Sequence, residues 1–318
     1  MLYDSLPRPF FVLAPMDDVT DTVFRQIIAT TAPPDLFFTE FVNVDGLQSR
    51  GKPRLMHKLA YTAKEKPLIA QIWGKTPINY ELSAKELVEM GFAGIDINMG
   101  CPVKDVVKNG CCSALINNRD LAVEIIKAVK RGAKGRVPIT VKTRLGWDSV
   151  DYSWHELILK QGIDMLTVHG RTRSEMSKVP ARWQDIAVVR DLRDKISPKT
   201  LIVGNGDVQN RLHGEQLAAK YKLDGIMIGR AIFNDPYIFA KESPWPSLEP
   251  IQKIELYKKQ VKLFIKYYPN KERSPQTLKC YAKIYINGFD GASSIRSEVM
   301  STNSAEELKV VLSRYLLS

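Results

Sequence analysis

Short apolar runs recur along the chain, and each one ends in polar or glycine residues. Eight runs have this form: FFVLAPM (10–16), LFFTEFV (36–42), PLIAQIW (67–73), GIDINMG (94–100), PITVKTRLG (138–146), MLTVHGR (165–171), TLIVGNGD (200–207) and GIMIGRA (225–231). Continuous runs of this length are typical of strands that are covered on both faces, as in a parallel sheet.

Amphipathic segments lie between the runs. INYELSAKELVEMG (78–91) and DLAVEIIKAVKRG (120–132) have helical spacing, and Gly91 and Gly132 stand where a helix commonly ends. Eight strands alternating with helices over about 230 residues predict the α/β class and a (β/α)8 TIM barrel. A doubly wound sheet is the alternative, but no dinucleotide-binding glycine fingerprint follows the first strand.

The pattern changes near residue 244. Pro244, Pro246 and Pro250 stand close together, as they do in a linker. Three segments with helical spacing follow, at 251–269, 274–289 and 304–317, and in the first of them the apolar residues from Ile251 to Tyr268 share one face. The sequence therefore predicts a barrel over residues 1–243 and a small C-terminal helical domain over 244–318.

Composition narrows the class of protein. The chain has 318 residues, of which 44% are hydrophobic and 25% charged, as in an ordinary globular protein. Four cysteines make no disulfide framework, so we expect a reducing compartment. The N-terminal segment MLYDSLPRPFFVLAPM lacks the pattern of a signal peptide, and no run is long enough to span a membrane. We expect a cytoplasmic protein that acts as a monomer.

The net charge is +11, and its distribution is uneven. Residues 246–318 hold 12 Lys and Arg residues and 7 Asp and Glu residues, a net charge of +5. An excess of cations raises the local concentration of anions and points to a polyanionic partner. Charge alone fits a merely basic surface equally well.

Reactive residues collect at the ends of all eight runs. In a TIM barrel the active site lies at the carboxyl ends of the strands. The residues at these ends are Pro15, Met16 and Asp17, then Glu40, Gln71, Asn98 and Cys101, Lys142 and Arg144, His169 and Arg171, Asn205, Gly206 and Asp207, and Gly229 and Arg230. A single Gln or His at such a place has an ordinary structural explanation. Polar groups at every end predict a ligand site, because without a ligand they would be crowded and partly desolvated.

Two of these ends suggest the nature of the ligand. The glycines of NGD (205–207) and GR (229–230) allow backbone N–H groups to approach an anion, in the region where barrels commonly bind phosphate. Lys142 has two interpretations: a Schiff-base lysine, or a fixed cation beside a reduced flavin. Gln71 favours the flavin, since an amide can meet donor and acceptor positions on the ring edge. Pro15 and Met16 can offer that ring an apolar face.

At this point the motifs resemble those of a known family. APMDDVTD, TEFV, AQIWG, DINMGCPVKDVVKNG, VKTRLGWD, VHGRTR, VGNGDV and IMIGRA are similar, in order, to the motifs of the FMN-dependent tRNA-dihydrouridine synthases. The resemblance is strong over about residues 10–240 and weaker in the helical segments. It implies FMN as cofactor, NADPH as reductant and tRNA as substrate.

The resemblance also implies roles for individual residues. Cys101 matches the family's proton donor. The FMN positions are Pro15, Met16, Asp17, Gln71, Lys142, His169, Asn205, Gly206, Asp207, Gly229 and Arg230. Positions that face the target nucleotide or the tRNA are Glu40, Asn98, Arg144, Lys279 and Arg296. Asp18 and Cys112 depart from the pattern, since the family usually has glycine at both places.

The implied reaction is reduction of the C5=C6 bond of a D-loop uridine, with hydride from the flavin and a proton from Cys101. A thiol is largely protonated at neutral pH and can donate. The alternative is an FMN-dependent barrel oxidoreductase that acts on a small pyrimidine or enone. Cys111 and Cys112 are interpreted as small buried residues, and we expect no metal site, because Cys101, Cys111 and Cys112 lack ligand spacing.

Overall fold

The predicted runs form the parallel strands of one barrel. In this computed structural model, which describes residues 2–316, the strands are β1 (Phe10–Leu13), β2 (Phe37–Phe38), β3 (Val42–Asn43), β4 (Leu68–Trp73), β5 (Gly94–Met99), β6 (Ile139–Arg144), β7 (Met165–His169), β8 (Leu201–Asn205) and β9 (Gly225–Ile228). Their order is β1-β9-β8-β7-β6-β5-β4-β2, with β3 also on β4. A bridge between Val12 and Leu36 joins the two ends. The TIM barrel prediction is confirmed.

The second predicted strand, 36–42, is divided into β2 and β3. The hydroxyl of Thr39 accepts a hydrogen bond from the backbone N–H of Gln71 at 3.0 Å and donates to the carbonyl of Glu40 at 2.7 Å. Between β2 and β3, the Thr39 hydroxyl thus takes the place of a backbone carbonyl as the hydrogen-bond acceptor for β4. Glu40 lies at this interruption.

Helices cover the outside of the barrel. They are α1 (Thr22–Thr31), α2 (Val44–Leu47), α3 (Pro77–Glu89), α4 (Lys104–Lys108), α5 (Arg119–Ala133), α6 (Tyr152–Leu159), α7 (Trp183–Ile196) and α8 (Arg211–Tyr221). Asp21 begins α1 by accepting a hydrogen bond from the N–H of Phe24 at 2.8 Å. Gly91 follows α3 with a φ of 82°, as expected for a glycine after a helix.

Gly132 does not end its helix. α5 continues through Ala133, and Lys134 adopts the left-handed conformation at its C-terminus. A Cβ atom at Gly132 would lie 2.1 Å from the carbonyl oxygen of Glu81 and 2.9 Å from the Cβ of Ala84, both on α3. Gly132 therefore allows α3 and α5 to approach closely, and its predicted role as a helix terminator was wrong.

The barrel interior is apolar at its base and polar at its mouth. Inward-facing side chains alternate along each strand, as a period of two requires. The base is filled by Phe10, Val12, Phe38, Ile69, Met165, Val203 and Met227, all buried. Gln71, Asn98, Lys142, His169 and Asn205 come nearer to the strand ends. The strand pattern thus concentrates polar groups where a barrel carries its site.

Residues 250–314 form five helices. They are α9 (Pro250–Tyr267), α10 (Gln276–Lys279), α11 (Ala282–Tyr285), α12 (Ala292–Ser301) and α13 (Ala305–Arg314). The predicted face of α9 is buried at Ile254, Tyr257, Val261 and Phe264, whereas Ile251 is exposed. The predicted segment 274–289 is two short helices, and α12 was not predicted.

The helical region packs directly on the barrel beside α1. The ring of Tyr281 stacks on that of Phe24 with 4.9 Å between centroids, and its hydroxyl donates to the carbonyl of Val19 at 2.5 Å. Buried residues of both parts belong to one continuous apolar cluster. In the part of the chain that the structure describes, we find no helix with the length and hydrophobicity needed to cross a membrane.

Candidate active site

A cavity of about 690 Å³ opens at the carboxyl ends of the strands. Its size is that of a cofactor or small-molecule site. Predicted site residues that line it are Pro15, Met16, Lys142, Arg144, His169, Asn205, Gly206, Asp207, Gly229 and Arg230. Of the residues predicted to contact a flavin, Asp17 and Gln71 are outside this lining.

Lys142 brings a cation into the cavity. Burial, and then the neighbouring Arg144, lower its pKa to about 8 against the attraction of Asp96. No hydrogen bond of the Lys142 ammonium is found to any group of residues 2–316. A partly desolvated ammonium with unused donors is suited to a ligand atom that carries or develops negative charge.

Gln71 and Asn98 belong to a chain of hydrogen bonds. The Gln71 amide donates to Asp96 at 2.7 Å and accepts from Asn98 at 3.0 Å. The Asn98 oxygen in turn accepts from the backbone N–H of Cys101 at 3.0 Å. Thr140 donates to the other oxygen of Asp96. This series of hydrogen bonds holds the loop that carries Cys101, and it occupies both the N–H and the oxygen of the Gln71 amide.

Cys101 lies beside a second thiol. Cys101 is partly exposed and Cys112 is buried, and the Cys112 thiol donates a hydrogen bond to the Cys101 sulfur. This hydrogen bond is the main reason that the pKa of Cys101 is lowered to about 7. Thiol and thiolate forms of Cys101 therefore coexist near neutral pH. A proton donor works best when its pKa lies near the operating pH.

Arg144 holds the rim of the cavity together. Its guanidinium donates to the carbonyl of Gly100 at 2.7 Å and to the carbonyls of Thr172 and Met176 at 3.0 and 2.9 Å. Burial lowers the pKa of Arg144 to about 10, so the group stays charged at neutral pH. Its charged group contacts Gly100, the residue before Cys101. Arg144 thereby joins the loop after β5 to the loop after β7.

His169 is a neutral side chain in a cationic surrounding. Its Nε2 lies 3.2 Å from Nη1 of Arg171. A guanidinium only donates, so Nε2 accepts and the proton is on Nδ1. Burial lowers the pKa of His169 well below its ordinary value, and Arg144 and Lys142 lower it further. The imidazole can offer a hydrogen bond to a ligand without adding charge.

The phosphate-binding features predicted at β8 and β9 meet at one edge of the cavity. Gly206 has a φ of 130°, and a Cβ there would lie 2.7 Å from the Cβ of Ala181. Arg171 pairs closely with Asp207. Arg230 is 66% exposed, and its contact with the same carboxylate is longer, at 3.5 Å. Because this contact is long and the side chain is exposed, Arg230 keeps donors that can pair with an anion at this edge.

Glu40 and Asp17 lie outside the cavity lining. Glu40 is fully buried and accepts from Arg273 at 3.0 and 2.9 Å. Asp17 pairs with Lys58, and Asp18 lies 3.4 Å from Arg273. These three carboxylates are grouped closely enough to share a cation, but each already faces a basic side chain.

Lys279 and Arg296 are directed into the helical region. Lys279 donates to the carbonyl of Met300 at 2.8 Å, and Arg296 donates to that of Ile286 at 2.7 Å. Both are partly exposed. Their predicted contact with tRNA would add to these structural hydrogen bonds.

The two departures from the family pattern share a conformation. Asp18 has a φ of 57° and Cys112 a φ of 54°. Glycine adopts this left-handed region without strain, aspartate tolerates it, and cysteine does so at a cost. Both loops thus keep the backbone that a glycine would favour.

Sequence analysis missed two residues that shape the site, Asp96 and Arg273, and it placed Arg171 at a strand end without predicting its partners. Asp96 holds Gln71, Arg171 holds His169 and Asp207, and Arg273 holds Glu40. Asp96 had a visible signal, because an acid inside the apolar run GIDINMG has to find a buried partner. Burial raises its pKa to about 6. No local pattern marked Arg273.

Comparisons with known proteins agree with these motifs. The sequence model of the family described as dihydrouridine synthase (Dus) matches residues 12–317. A Staphylococcus aureus (strain MRSA252) protein named "Probable tRNA-dihydrouridine synthase" is 42% identical over 316 residues, covering 98% of this chain and 95% of that protein. A Bacillus subtilis (strain 168) protein named "Probable tRNA-dihydrouridine synthase 2" is 44% identical over 311 residues, covering 97% and 94%.

Solved structures with low sequence identity share the barrel. A mutant of morphinone reductase in complex with tetrahydroNAD is similar with a TM-score of 0.52 and 10% identity, over 78% of this chain and 92% of that one. A 2-naphthoyl-CoA reductase is similar with a TM-score of 0.55 and 13% identity, over 72% and 49%. These likenesses concern the fold alone. From the family match over nearly the whole sequence and from the curated relatives, the chain belongs to the dihydrouridine synthase family.

Proposed function

We propose that this protein is an FMN-dependent tRNA-dihydrouridine synthase, which reduces the C5=C6 bond of a D-loop uridine in tRNA with NADPH as reductant. The observation that carries the proposal within the molecule is Lys142, a partly desolvated cation without a hydrogen-bond partner among residues 2–316, in the cavity at the mouth of the barrel. Such a cation favours a cofactor that gains negative charge on reduction.

The residues present fit FMN. Lys142 and neutral His169 would lie at the ring, and Pro15 and Met16 would form an apolar wall. At the other edge, exposed Arg230 can pair with the phosphate. When bound and reduced, FMN supplies the hydride.

Cys101 is the proposed proton donor. Hydride addition to one carbon of the double bond leaves the other carbon in need of a proton, and a thiol with a pKa of about 7 can supply it. The loop of Cys101 is held by Asn98 on one side and by Ser113 on the other, whose hydroxyl donates to the Cys101 carbonyl at 2.8 Å. Arg144 keeps a positive charge nearby, which favours an anionic intermediate of the base.

The substrate has to be turned out of folded tRNA to reach this cavity. Phosphate contacts would hold the RNA, and the basic residues 246–318 supply cations for them. We place the enzyme in the cytoplasm, where tRNA is modified, and we assign Asn98, Lys279 and Arg296 to the RNA side as the family resemblance implies. The resemblance implies the same for Glu40, but Glu40 is fully buried against Arg273 and has no exposed surface for RNA.

The test separates the two half-reactions without oxygen. Purified protein loaded with FMN is bleached with NADPH and then mixed with tRNA that lacks dihydrouridine. We expect flavin reoxidation together with dihydrouridine in the recovered tRNA. Matched tRNA that already carries the modification should not reoxidise the flavin. Reoxidation by free uridine or a small enone, without a response to tRNA, would instead support the small-molecule alternative.

A further inference from the structure

A buried arginine of the helical region enters a group of carboxylates on the barrel. The Arg273 side chain is 3% exposed. Its Nη1 donates to both oxygens of Glu40 at 3.0 and 2.9 Å, its Nε lies 3.3 Å from Asp21, and its Nη2 lies 3.4 Å from Asp18. One guanidinium thus faces three acids that belong to two loops of the barrel mouth.

These acids control the first loop, residues 14–21, which connects β1 with α1. The backbone N–H of Asp18 donates to Glu40 at 2.7 Å, and Asp21 caps α1. Pro15 and Met16 of the same loop line the cofactor cavity. The first loop therefore has one side on the cavity and the other side on Arg273.

Two tyrosines of the helical region hold the same loop. The Tyr268 hydroxyl donates to Asp21 at 3.1 Å, and the Tyr281 hydroxyl donates to the carbonyl of Val19. Both tyrosines are buried. The helical region thus contacts three parts of the loop, at Asp18, Val19 and Asp21.

The charges explain why Arg273 is central. Glu40 is fully buried, and burial raises the pKa of its carboxyl, whereas Arg273 lowers it. A buried carboxylate without its partner is strongly unfavourable, so loss of Arg273 would force Glu40 to move or to take up a proton. Movement of Glu40 takes the acceptor away from the N–H of Asp18, and protonation replaces a charged acceptor with a weaker neutral one.

We propose that Arg273 is a positioning residue of the cofactor site: through Glu40, Asp18 and Asp21 it sets the place of the Pro15–Met16 wall. The inference rests on the proposed function in so far as FMN occupies the cavity beside that wall. The helical region then has a second role beside RNA binding, because it completes the support of the flavin site from outside the barrel.

A purely stabilising role of Arg273, as an ion pair that joins the helical region to the barrel, leads to a different prediction. It would change the free energy of unfolding and leave the flavin unaffected. Arg193 offers a matched control, since it is also buried and pairs with Asp224 at 2.8 Å and Asp194 at 2.7 Å. The Arg193 guanidinium also donates to the carbonyl of Thr200 at 2.5 Å. Thr200 and Asp224 precede β8 and β9, so this ion pair lies at the opposite end of the barrel from the cavity.

The experiment compares Arg273→Met, Arg273→Lys and Arg193→Met in the full chain without RNA. The FMN dissociation constant is measured from flavin fluorescence, and visible circular dichroism reports the surroundings of the bound ring. We expect Arg273→Met to weaken FMN binding by about 10²-fold, the order of loss that follows a small misplacement of a site. Arg273→Lys should recover part of this loss, and Arg193→Met should bind FMN like the wild type.

A second variant covers the case in which Arg273→Met does not fold. Arg273→Met with Glu40→Gln removes both charges and so avoids the buried unpaired carboxylate. We expect it to fold and still bind FMN weakly with an altered dichroism spectrum. Wild-type FMN affinity and spectrum in a folded Arg273 variant would overturn the proposal. Failure of tRNA to reoxidise the wild-type flavin would count against the proposed function alone, since the FMN measurements contain no RNA.

Discussion

At the scale of single residues, the hydrogen bond between Cys101 and Cys112 sets the chemistry of the proposed proton donor. Cys112 is fully buried, its pKa is raised by burial, and it stays a thiol that can donate to Cys101. It does so with a φ of 54°, a conformation that costs a cysteine about 1–3 kcal/mol. A strained residue beside a reactive one is commonly kept for what its side chain does there.

Replacing Cys112 should change the pH dependence of the tRNA half-reaction. Cys101 has to be protonated to donate, so the rate should fall as the pH rises through its pKa of about 7. Cys112→Gly removes the hydrogen bond that chiefly lowers this pKa, so the fall should move to higher pH. Cys112→Ser keeps a donor and should fall at a pH near that of the wild type. Stopped-flow reoxidation by tRNA between pH 6 and about 9 measures the midpoint, and equal midpoints in all three proteins would contradict the role of Cys112.

Replacing Cys101 should separate the two half-reactions. Cys101→Ala removes the proton donor, and loss of a positioned general acid slows a reaction by about 10²–10⁴-fold. Reoxidation of the reduced flavin by tRNA should slow by that factor, whereas bleaching by NADPH should keep its rate. Cys280→Ala, at an exposed cysteine of the helical region, is the control. A Cys101→Ala protein that reoxidises at the wild-type rate would exclude this thiol as the acid.

At the scale of elements, the barrel depends on close approach between its outer helices as well as on its strands. α3 and α5 meet at Gly132, where a Cβ would lie 2.1 Å from a backbone oxygen of Glu81. Helix propensity alone would favour alanine at this position by about 1 kcal/mol. The neighbouring atom belongs to the backbone, so no rotamer change can relieve the overlap. Packing therefore outweighs propensity here.

Gly132→Ala should destabilise the protein in spite of its better helix propensity. Overpacking of this kind costs about 1–3 kcal/mol, so the free energy of unfolding in urea should fall. Gly51→Ala is the control, because its Cβ would meet only the side chain of Ser49 at 3.2 Å. FMN binding should be retained in both proteins, since neither position lines the cavity. A Gly132→Ala protein as stable as the wild type would show that the two helices can separate without cost.

At the scale of the whole molecule, the helical region joins the barrel through buried side chains and adds a basic surface. A second cavity, of about 530 Å³, lies between the barrel and this region and shares Asn234 with the cofactor cavity. Lys253 and Lys283 line it, and no carboxylate does. Two cations beside the mouth of the site suit the phosphates that flank an inserted uridine.

Neutralising these lysines should weaken tRNA binding in a salt-dependent way. For the double variant Lys253→Gln and Lys283→Gln, the slope of log affinity against log salt should become shallower by about 2, because each lysine would otherwise neutralise one phosphate. FMN affinity and the rate of bleaching by NADPH should stay unchanged. The control is Lys262→Gln with Lys266→Gln, which removes equal charge from a different side of α9. An equal change in slope for both double variants would indicate a diffuse charge effect rather than a site.

The fold and the residue types of the site could be predicted from the sequence because both depend on short contiguous segments. Continuous apolar runs pack on both faces of a parallel sheet, and a parallel barrel then brings the carboxyl ends of all strands to one mouth. Lys142, His169 and Arg230 could therefore be predicted to meet without knowledge of how any of them is partnered. The motifs around Cys101 and Asn205 were contiguous, so they identified the family as well.

Tertiary structure alone decided how these side chains are partnered and charged. Arg273 and Glu40 are 233 residues apart, and no periodic pattern links positions so distant. Gln71 was predicted to meet a flavin ring edge with its amide, and nothing in the sequence indicated that Asp96 and Asn98 bond to both ends of that amide. Burial and neighbouring groups set the pKa of Cys101 and of Lys142, and neither is a property of the residue type. Long-range interactions and desolvation arise only when the chain folds, so the sequence determined which side chains reach the barrel mouth, and the folded structure determined their partners and their chemical state.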